Sequence, residues 1–341
     1  MSTQSEHAAP TADSDGTVEL TYREAVCAAL EDEMFSDPRV LLLGEDVAND
    51  GGVFKTNIGL PEKFPGRVTN TPICENTFIG AAIGMAVTGL RPVVEIMFSD
   101  FLPTAGDALV EELPKFRFMS GGQCSVPVAI RSIGGGTGRF GTQHSATGES
   151  WFIGLQGLKV AAGGTPAAAY GLLRAAIRDA NPVLLFEHKG LYGRKGSVVR
   201  GEDGIAVLGQ ASVDREGTDV TIVSTLLMTD RSLQASEQLA EAGIDAEVID
   251  LRSLRPLDYT TIEASVGKTG RLLVVEEQVH AGGWGATVIS HLAMGGTQLH
   301  TPPRAVSLPD DLLISYSPPL EEFFLPKISD IVRVSRQLAA Y

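Results

Sequence analysis

The chain has 341 residues, enough for two domains, and its 43% hydrophobic and 20% charged residues are ordinary for a globular protein. Lys and Arg number 27 against 42 Asp and Glu, which gives a net charge of −15. Nucleic-acid binding depends on cationic contacts to phosphate. A chain with this excess of acidic residues is therefore not expected to bind nucleic acid.

The cysteines and the apolar runs bear on the protein's environment. Cys27, Cys74 and Cys124 lie far apart and form no CxxC pair, which argues against a disulfide framework or a zinc site and favours a cytoplasmic location. Residues 1–16 are polar and predict a disordered tail rather than a signal peptide. The longest apolar run, residues 78–90, is too short to span a bilayer, so no membrane association is expected.

Hydrophobic periodicity predicts alternating strands and helices along the first half of the chain. Thr21, with Glu24 three residues later, forms a capping-box pattern that begins a helix at residues 21–35. Strands are predicted at residues 40–44, 92–98, 126–132 and 182–187, and helices at 78–90, 104–119 and 165–179. Pro114 must kink or split the second of these helices.

The alternation stops at residues 190–217, which are rich in Gly and charge and are interpreted as a linker between domains. It then resumes, with strands predicted at residues 220–224, 246–251 and 271–276 and helices at 229–242, within 285–294 and at 328–338. Strands separated by helices are typical of parallel sheets covered on both faces. We therefore predict an α/β protein, with a parallel-sheet domain at residues 17–189 and a smaller α/β domain at residues 218–341.

Three polar features lie where ligands collect in parallel sheets, at the carboxyl ends of strands. They are Glu45 after the first buried strand, Glu75 before a helix of small residues, and His144 after the glycine-rich loop 134–138. Each has an ordinary structural explanation, because a carboxylate before a helix commonly caps it and a loop histidine is commonly solvated. The loop lacks the spacing of a dinucleotide fingerprint or P-loop. Composition and spacing alone therefore predict no reaction.

An ordered series of motifs goes further. The motifs are Gly44-Glu-Asp-Val47, Arg67-Val-Thr-Asn-Thr-Pro-Ile-Cys-Glu75, Gly89-Leu-Arg-Pro92, Gln143-His-Ser145, Gly157-Leu-Lys-Val160, Ala176-Ile-Arg-Asp-Ala-Asn-Pro182, Phe186-Glu-His-Lys189, Asp250-Leu-Arg-Ser-Leu-Arg-Pro-Leu-Asp258 and Lys268-Thr-Gly-Arg271. The series resembles the β subunits of thiamine-diphosphate-dependent pyruvate, branched-chain 2-oxo acid and acetoin dehydrogenases, in the transketolase superfamily. The resemblance implies a pyrimidine-binding domain followed by a transketolase C-terminal domain.

The resemblance also implies roles for five residues. Glu75 matches the glutamate that hydrogen-bonds the aminopyrimidine ring of thiamine diphosphate, and His144 matches a histidine that lines the active-site channel. Both are implied to be catalytic. Phe101 matches the aromatic residue that packs against the pyrimidine, although it also fits a plain core position. Glu45 and Ile73 are implied to border the cofactor, Glu45 within an acidic tunnel that joins paired sites.

A second set of residues resembles the family's potassium site. The main-chain carbonyls of Val128, Ala176 and Ile177, together with Asp179 and Asn181, are the implied oxygen ligands. The same residues fit a helix C-terminus at which Asp179 and Asn181 merely cap the chain. Both interpretations stay open.

One motif of complete thiamine-diphosphate enzymes is missing. The Gly-Asp-Gly segment with its paired Asn, which binds the diphosphate through Mg²⁺, does not occur, and Gly106-Asp-Ala108 lacks the second glycine. The resemblance therefore implies a separate α subunit that holds Mg²⁺ and the diphosphate, in an α2β2 heterotetramer. The implied reaction cleaves a 2-oxo acid or acetoin and passes the acyl group to the lipoyl carrier of an acyltransferase.

Two alternatives to this reaction remain. A two-chain carboligase or transketolase-like enzyme would pass the acyl or ketol unit to a carbonyl acceptor instead. A non-catalytic scaffold is disfavoured, because Glu75, Phe101 and His144 are all present. Ala146-Thr-Gly-Glu149 stands where the family commonly has Gln and an apolar pair, which leaves the substrate undefined. The segment 186–192 is more similar to the acetoin branch than to the branched-chain one.

Overall fold

The computed structural model describes residues 16–341. The predicted tail lies outside this range, apart from Gly16. The strands are β1 (Thr17–Thr21), β2 (Val40–Gly44), β3 (Val68–Asn70), β4 (Arg91–Ile96), β5 (Ala129–Gly134), β6 (Lys159–Ala162), β7 (Val183–His188), β8 (Lys195–Val199), β9 (Ser212–Arg215), β10 (Val220–Ser224), β11 (Ala246–Asp250), β12 (Arg252–Arg255), β13 (Leu272–Val279) and β14 (Arg304–Leu308).

The helices alternate with these strands. They are α1 (Tyr22–Ser36), α2 (Leu60–Lys63), α3 (Glu75–Val87), α4 (Phe116–Met119), α5 (Glu149–Phe152), α6 (Pro166–Arg178), α7 (Leu226–Glu241), α8 (Tyr259–Thr269), α9 (Trp284–Gly295), α10 (Pro318–Phe324) and α11 (Ile328–Ala339). Four short 3₁₀ turns (Ser99–Ala105, Thr142–His144, Lys189–Leu191 and Glu202–Gly204) and one π-helix (Asp107–Glu112) complete the described chain.

Two main sheets confirm the predicted α/β fold. The first has seven strands in the order β12-β6-β7-β5-β4-β2-β3, parallel except where β12 pairs with β6. The second has five strands in the order β14-β13-β10-β11-β9, parallel except where β9 pairs with β11. Strand β12 comes from the second half of the chain but pairs with β6, so the second half supplies an edge strand of the first sheet.

The first predicted helix has the predicted start. Thr21 is the N-cap of α1, its main-chain N–H donates to Glu24 Oε2 at 2.8 Å, and the Glu24 N–H donates to Thr21 Oγ1 at 3.3 Å. This reciprocal pair satisfies two N–H groups that the helix would leave without a partner. The capping box is therefore confirmed.

The helix predicted at residues 104–119 is split at Pro114, as expected, but the part before Pro114 is not α-helical. The chain forms the 3₁₀ turn Ser99–Ala105, the π-helix Asp107–Glu112 and then α4. Pro103 and Pro114 have no N–H to donate, and the Leu113 N–H reaches back five residues to the Ala108 carbonyl at 2.9 Å. Phe101 lies in the 3₁₀ turn, next to α3.

The stretch at residues 190–217 contains regular structure as well as turns. Strand β8 pairs antiparallel with β1, and β9 pairs antiparallel with β11. Only one of the five residues of β8 is buried, and none of the four in β9. These edge strands have no apolar run, which is why the periodicity did not predict them.

Candidate active site

The N-terminus of α3 places Glu75 at the carboxyl end of β2. Thr71 N donates to the Gly44 carbonyl at 2.9 Å, so the turn after β3 runs beside the end of β2. Helix α3 then begins at Glu75, three residues earlier than predicted, with Cys74 as N-cap. Glu75 is 8% exposed, and its carboxylate accepts no hydrogen bond from any residue in the range 16–341. A largely buried carboxylate without a donor is suited to a ligand that brings one.

Glu45 is electrostatically coupled to Glu75. It is also 8% exposed, and its Oε1 atom has no hydrogen-bond partner in the described part of the chain. Burial, reinforced by the charge of Glu75 and then by that of Asp46, raises the pKa of the Glu45 carboxyl. The Glu45 carboxyl therefore keeps its proton to a higher pH than an isolated carboxyl would.

An aromatic cluster of Phe98, Phe101 and His144 lies next to α3. Phe98 follows β4, and Phe101 lies in the 3₁₀ turn on which α3 packs. The His144 ring centroid lies 4.7 Å from that of Phe98 at 90° and 5.5 Å from that of Phe101 at 81°. These edge-to-face contacts fix the plane of the imidazole. The structure thus brings the predicted Phe101 and His144 together, and it adds Phe98.

Lys189 is a site residue that the sequence analysis included only as the end of a motif. Its ammonium donates to the main-chain carbonyl of His144 and lies 4.5 Å from the Phe140 ring centroid and 5.7 Å from that of Phe98. Burial lowers the pKa of Lys189 to about 8, against the opposing effect of Asp100. The contacts of this cation fix the backbone of His144. Because they depend on folding, no linear pattern pointed to them.

The implied potassium ligands lie at the amino ends of the strands, opposite to the end where Glu75 lies, since Val128 and Asn181 come just before β5 and β7. Their oxygens already accept hydrogen bonds from protein groups. The Val128 carbonyl accepts from Val183 N (3.0 Å), the Ala176 carbonyl from Asp179 N (3.3 Å) and the Ile177 carbonyl from Arg91 (2.8 Å). The Asp179 carboxylate accepts from Lys159, and Asn181 Oδ1 accepts from Arg117 (2.6 Å). Three cationic side chains would repel an added cation. The helix-cap interpretation therefore accounts for these contacts, and the potassium site stays a prediction.

Comparison with known proteins identifies the family. Residues 18–195 match the family described as "Transketolase, pyrimidine binding domain", and residues 209–331 match "Transketolase, C-terminal domain". A mitochondrial pyruvate dehydrogenase E1 component subunit beta-1 from Arabidopsis thaliana is 40% identical, over 94% of this chain and 90% of its own length. The chain belongs to the family of E1 β subunits. The predicted resemblance is thereby confirmed.

Other E1 β relatives act in different branches of the family. The β subunit of acetoin:2,6-dichlorophenolindophenol oxidoreductase from Cupriavidus necator is 37% identical, over 93% of this chain and 97% of its own. The 2-oxoisovalerate dehydrogenase subunit beta of Bacillus subtilis is also 37% identical, over 94% and 99%. A solved structure described as "Split gene transketolase, inactive beta4 tetramer" matches with a TM-score of 0.77 at 24% identity, over 94% of this chain and 99% of its own. That likeness concerns the fold alone.

Among the described residues, no group of three or more His, Cys, Asp and Glu side chains is arranged to hold a metal ion. No helix within residues 16–341 is long and apolar enough to cross a bilayer.

Ile73 lies on the open side of the E1 β site. Its side chain is 84% exposed, and its neighbours Pro72 and Cys74 are exposed as well. The turn that carries it leads directly into Glu75, which is buried. An isolated exposed apolar residue needs no explanation, but one beside a buried carboxylate without a donor is suited to contact with a bound ring or a second chain.

Glu149, in the segment that departs from the usual E1 β pattern, is expected to make stability pH-dependent. It is 2% exposed and accepts a hydrogen bond from the Gln278 amide. Burial, reinforced by the charge of Glu277, raises the pKa of Glu149 from 4.5 to about 8. The folded state therefore binds more protons than the unfolded state between these values, and stability falls as the pH rises through this range.

Glu149→Gln is thus expected to be more stable than the wild type at pH 8, by about 1–3 kcal/mol. The gain should shrink towards pH 5, where the wild-type carboxyl is protonated in the folded state. Urea unfolding of both proteins at the two pH values measures the difference, with Glu322→Gln as an exposed control. A gain of equal size at both pH values would show that Glu149 is not the titrating group.

Proposed function

We propose that this chain is the pyrimidine-binding β subunit of a two-chain thiamine-diphosphate-dependent dehydrogenase, which cleaves a 2-oxo acid or acetoin. One observation carries the proposal. The buried carboxylate of Glu75 has no donor among the described residues, and it begins the helix that packs on the turn of Phe101. The family supports this interpretation, because its pyruvate, acetoin and 2-oxoisovalerate branches all match along nearly the whole chain.

Glu75 acts in the proposal as a proton partner. Thiamine diphosphate, when bound, would supply a carbon nucleophile for the substrate carbonyl. Glu75 would exchange a proton with a ring nitrogen of the aminopyrimidine and so assist the deprotonation of the reactive carbon. Glu45 lies beside this carboxylate, and burial together with the charge of Glu75 raises the pKa of Glu45.

The aromatic cluster has two tasks in the proposal. Phe101 offers an apolar surface for the pyrimidine, and the edge-to-face contacts hold the His144 ring in one orientation. An oriented imidazole can donate to, or accept from, a substrate oxygen near neutral pH. His144 is therefore proposed to contact the substrate or the incoming acceptor.

The partner in the proposal is an α subunit that supplies the diphosphate site. This chain has no Gly-Asp-Gly segment, and in its Gly106-Asp-Ala108 the last two residues begin the π-helix. The α subunit is proposed to bind Mg²⁺ and the diphosphate, in an α2β2 heterotetramer. The proposal does not depend on the potassium site, which stays a prediction. Cytoplasmic location stays a prediction, and the Arabidopsis relative is named as mitochondrial.

The isolated chain is expected to bind thiamine diphosphate and Mg²⁺ too weakly to detect by calorimetry. Micromolar or tighter binding should appear only after the α subunit is added, because each chain has half of the site. Omitting Mg²⁺ from the assembled protein is the control and should abolish the heat. Micromolar Mg²⁺-dependent binding to the β chain alone would overturn the two-chain assignment.

The acyl acceptor is proposed to be a lipoyl group on an acyltransferase. Incubating the assembled protein with substrate, with and without a lipoyl domain, tests this point. S-acylated lipoyl product is the expected result. Release of a carboligation product with no acylation of the lipoyl domain would identify the two-chain carboligase instead.

A further inference from the structure

The loop that carries the site histidine is bound at both ends by one residue of the second half. We call residues 135–147 the His144 loop. The Gly136 N–H donates to Glu277 Oε1 at 2.5 Å, and the Thr147 hydroxyl donates to the main-chain carbonyl of Glu277. Glu277 lies in β13, more than a hundred residues further along the chain. It therefore joins the two ends of the His144 loop to the central strands of the second sheet.

The carboxylate of Glu277 is buried and has a second partner. Its Oε2 lies 3.0 Å from His188 Nε2, and the two residues are 6% and 1% exposed. Although burial would raise the pKa of Glu277, His188 and the Gly136 N–H lower it below its usual range. A charged acceptor that is fully supplied with donors in a dry site makes short, directional bonds.

The middle of the His144 loop has further ties to the second half. Arg139 N donates to Glu321 Oε1 at 2.9 Å, and Thr142 Oγ1 donates to the Ile314 carbonyl at 2.9 Å. The loop also lies close against this part of the chain, because a Cβ on Gly136 would come within 2.6 Å of Leu325 Cδ2. Little space is therefore left for the backbone to shift at Gly136.

The next residue along from His188 completes the arrangement. Lys189 donates to the His144 carbonyl, so consecutive residues at the end of β7 contact Glu277 and His144. The position of the imidazole is thereby linked to the packing of the second domain on the first. The packing of the aromatic rings alone would leave the backbone at residues 136 and 147 free to move.

We propose that Glu277 is a positioning residue, which acts from the C-terminal domain to hold the His144 loop, and with it the imidazole, in the geometry that the reaction requires. This inference rests on the proposed function of His144. Glu277 touches neither cofactor nor substrate in it. The second domain accordingly contributes to catalysis indirectly, by holding the His144 loop.

Thr147 supplies a test that leaves the buried charge intact. Thr147→Val removes the hydroxyl at nearly constant size, and Thr147→Ser retains it as the matched control. In the assembled α2β2 protein, amide hydrogen exchange of residues 137–147 is expected to speed up about five- to tenfold in Thr147→Val and to stay near wild type in Thr147→Ser. Glu277→Gln, which retains an acceptor oxygen but loses the charge facing His188, should give an increase of similar direction.

The kinetic readout separates positioning from general stability. Thr147→Val should lower kcat and kcat/KM together by about tenfold with little change in KM, while Thr147→Ser restores both. Unchanged exchange in Thr147→Val and Glu277→Gln overturns the proposal, and so does faster exchange with unchanged kcat. If the wild-type assembly itself has no thiamine-dependent activity, the proposed function fails. The claim that Glu277 positions an imidazole for this reaction then fails with it, although exchange still reports whether Glu277 holds the loop.

Discussion

Glu75→Gln is expected to slow the thiamine-dependent reaction about 100-fold or more while the α2β2 assembly still forms. Glutamine is nearly isosteric with glutamate, and residue 75 accepts no hydrogen bond from the described residues, so packing at the start of α3 should persist. The amide cannot give a proton to the aminopyrimidine and take it back. The loss should therefore appear in kcat rather than in assembly.

Proton–deuterium exchange at the thiazolium carbon of the assembled protein measures this step directly. Glu62→Gln provides a matched control, because Glu62 is an exposed acidic residue in the first turn of α2. It should exchange at the wild-type rate. An unchanged exchange rate in Glu75→Gln would remove Glu75 from the catalytic residues, whatever the substrate proves to be.

The buried parts of the fold could be predicted from the sequence, whereas the edges could not. Strand β2 has the predicted bounds because its apolar run is uninterrupted, and α1 begins at the predicted cap because capping is a local interaction. Strand β12 escaped prediction because its antiparallel pairing with β6 joins two distant parts of the chain. The π-helix at residues 107–112 was missed because five-residue spacing follows no common apolar period.

The residues of the candidate site also differ in whether the sequence could predict them. Glu45, Glu75, Phe101 and His144 were predicted because each belongs to a motif or matches a family position. The structure shows how Glu45 is coupled to Glu75 and how Phe101 meets His144. Glu277 and Lys189 were not assigned roles, because their contacts with the His144 loop connect segments far apart in sequence. Such contacts exist only in the folded chain, and no periodicity or spacing reports them.

Arg131→Met is expected to reduce the free energy of unfolding by about 3–5 kcal/mol. Arg131 is completely buried in β5, where it lies 2.7 Å from Glu95 Oε2 and 2.6 Å from Glu187 Oε1. Removing the guanidinium would leave two carboxylates buried together without their cation. The Tyr192 hydroxyl, 2.9 Å from Glu187, and Asn57, 3.3 Å from Glu95, could offset only part of that charge.

A triple variant distinguishes the loss of charge compensation from the loss of packing. If the loss comes from uncompensated charge and not from a cavity, adding Glu95→Gln and Glu187→Gln to Arg131→Met should recover at least about half of it. Urea unfolding of the single and triple variants measures this. Lys195→Met, which removes a surface partner of Glu19 with both side chains 67% exposed, is the control and should change stability by less than about 1 kcal/mol. A triple variant less stable than Arg131→Met would show that packing around the guanidinium, and not its charge, stabilises the centre of the first sheet.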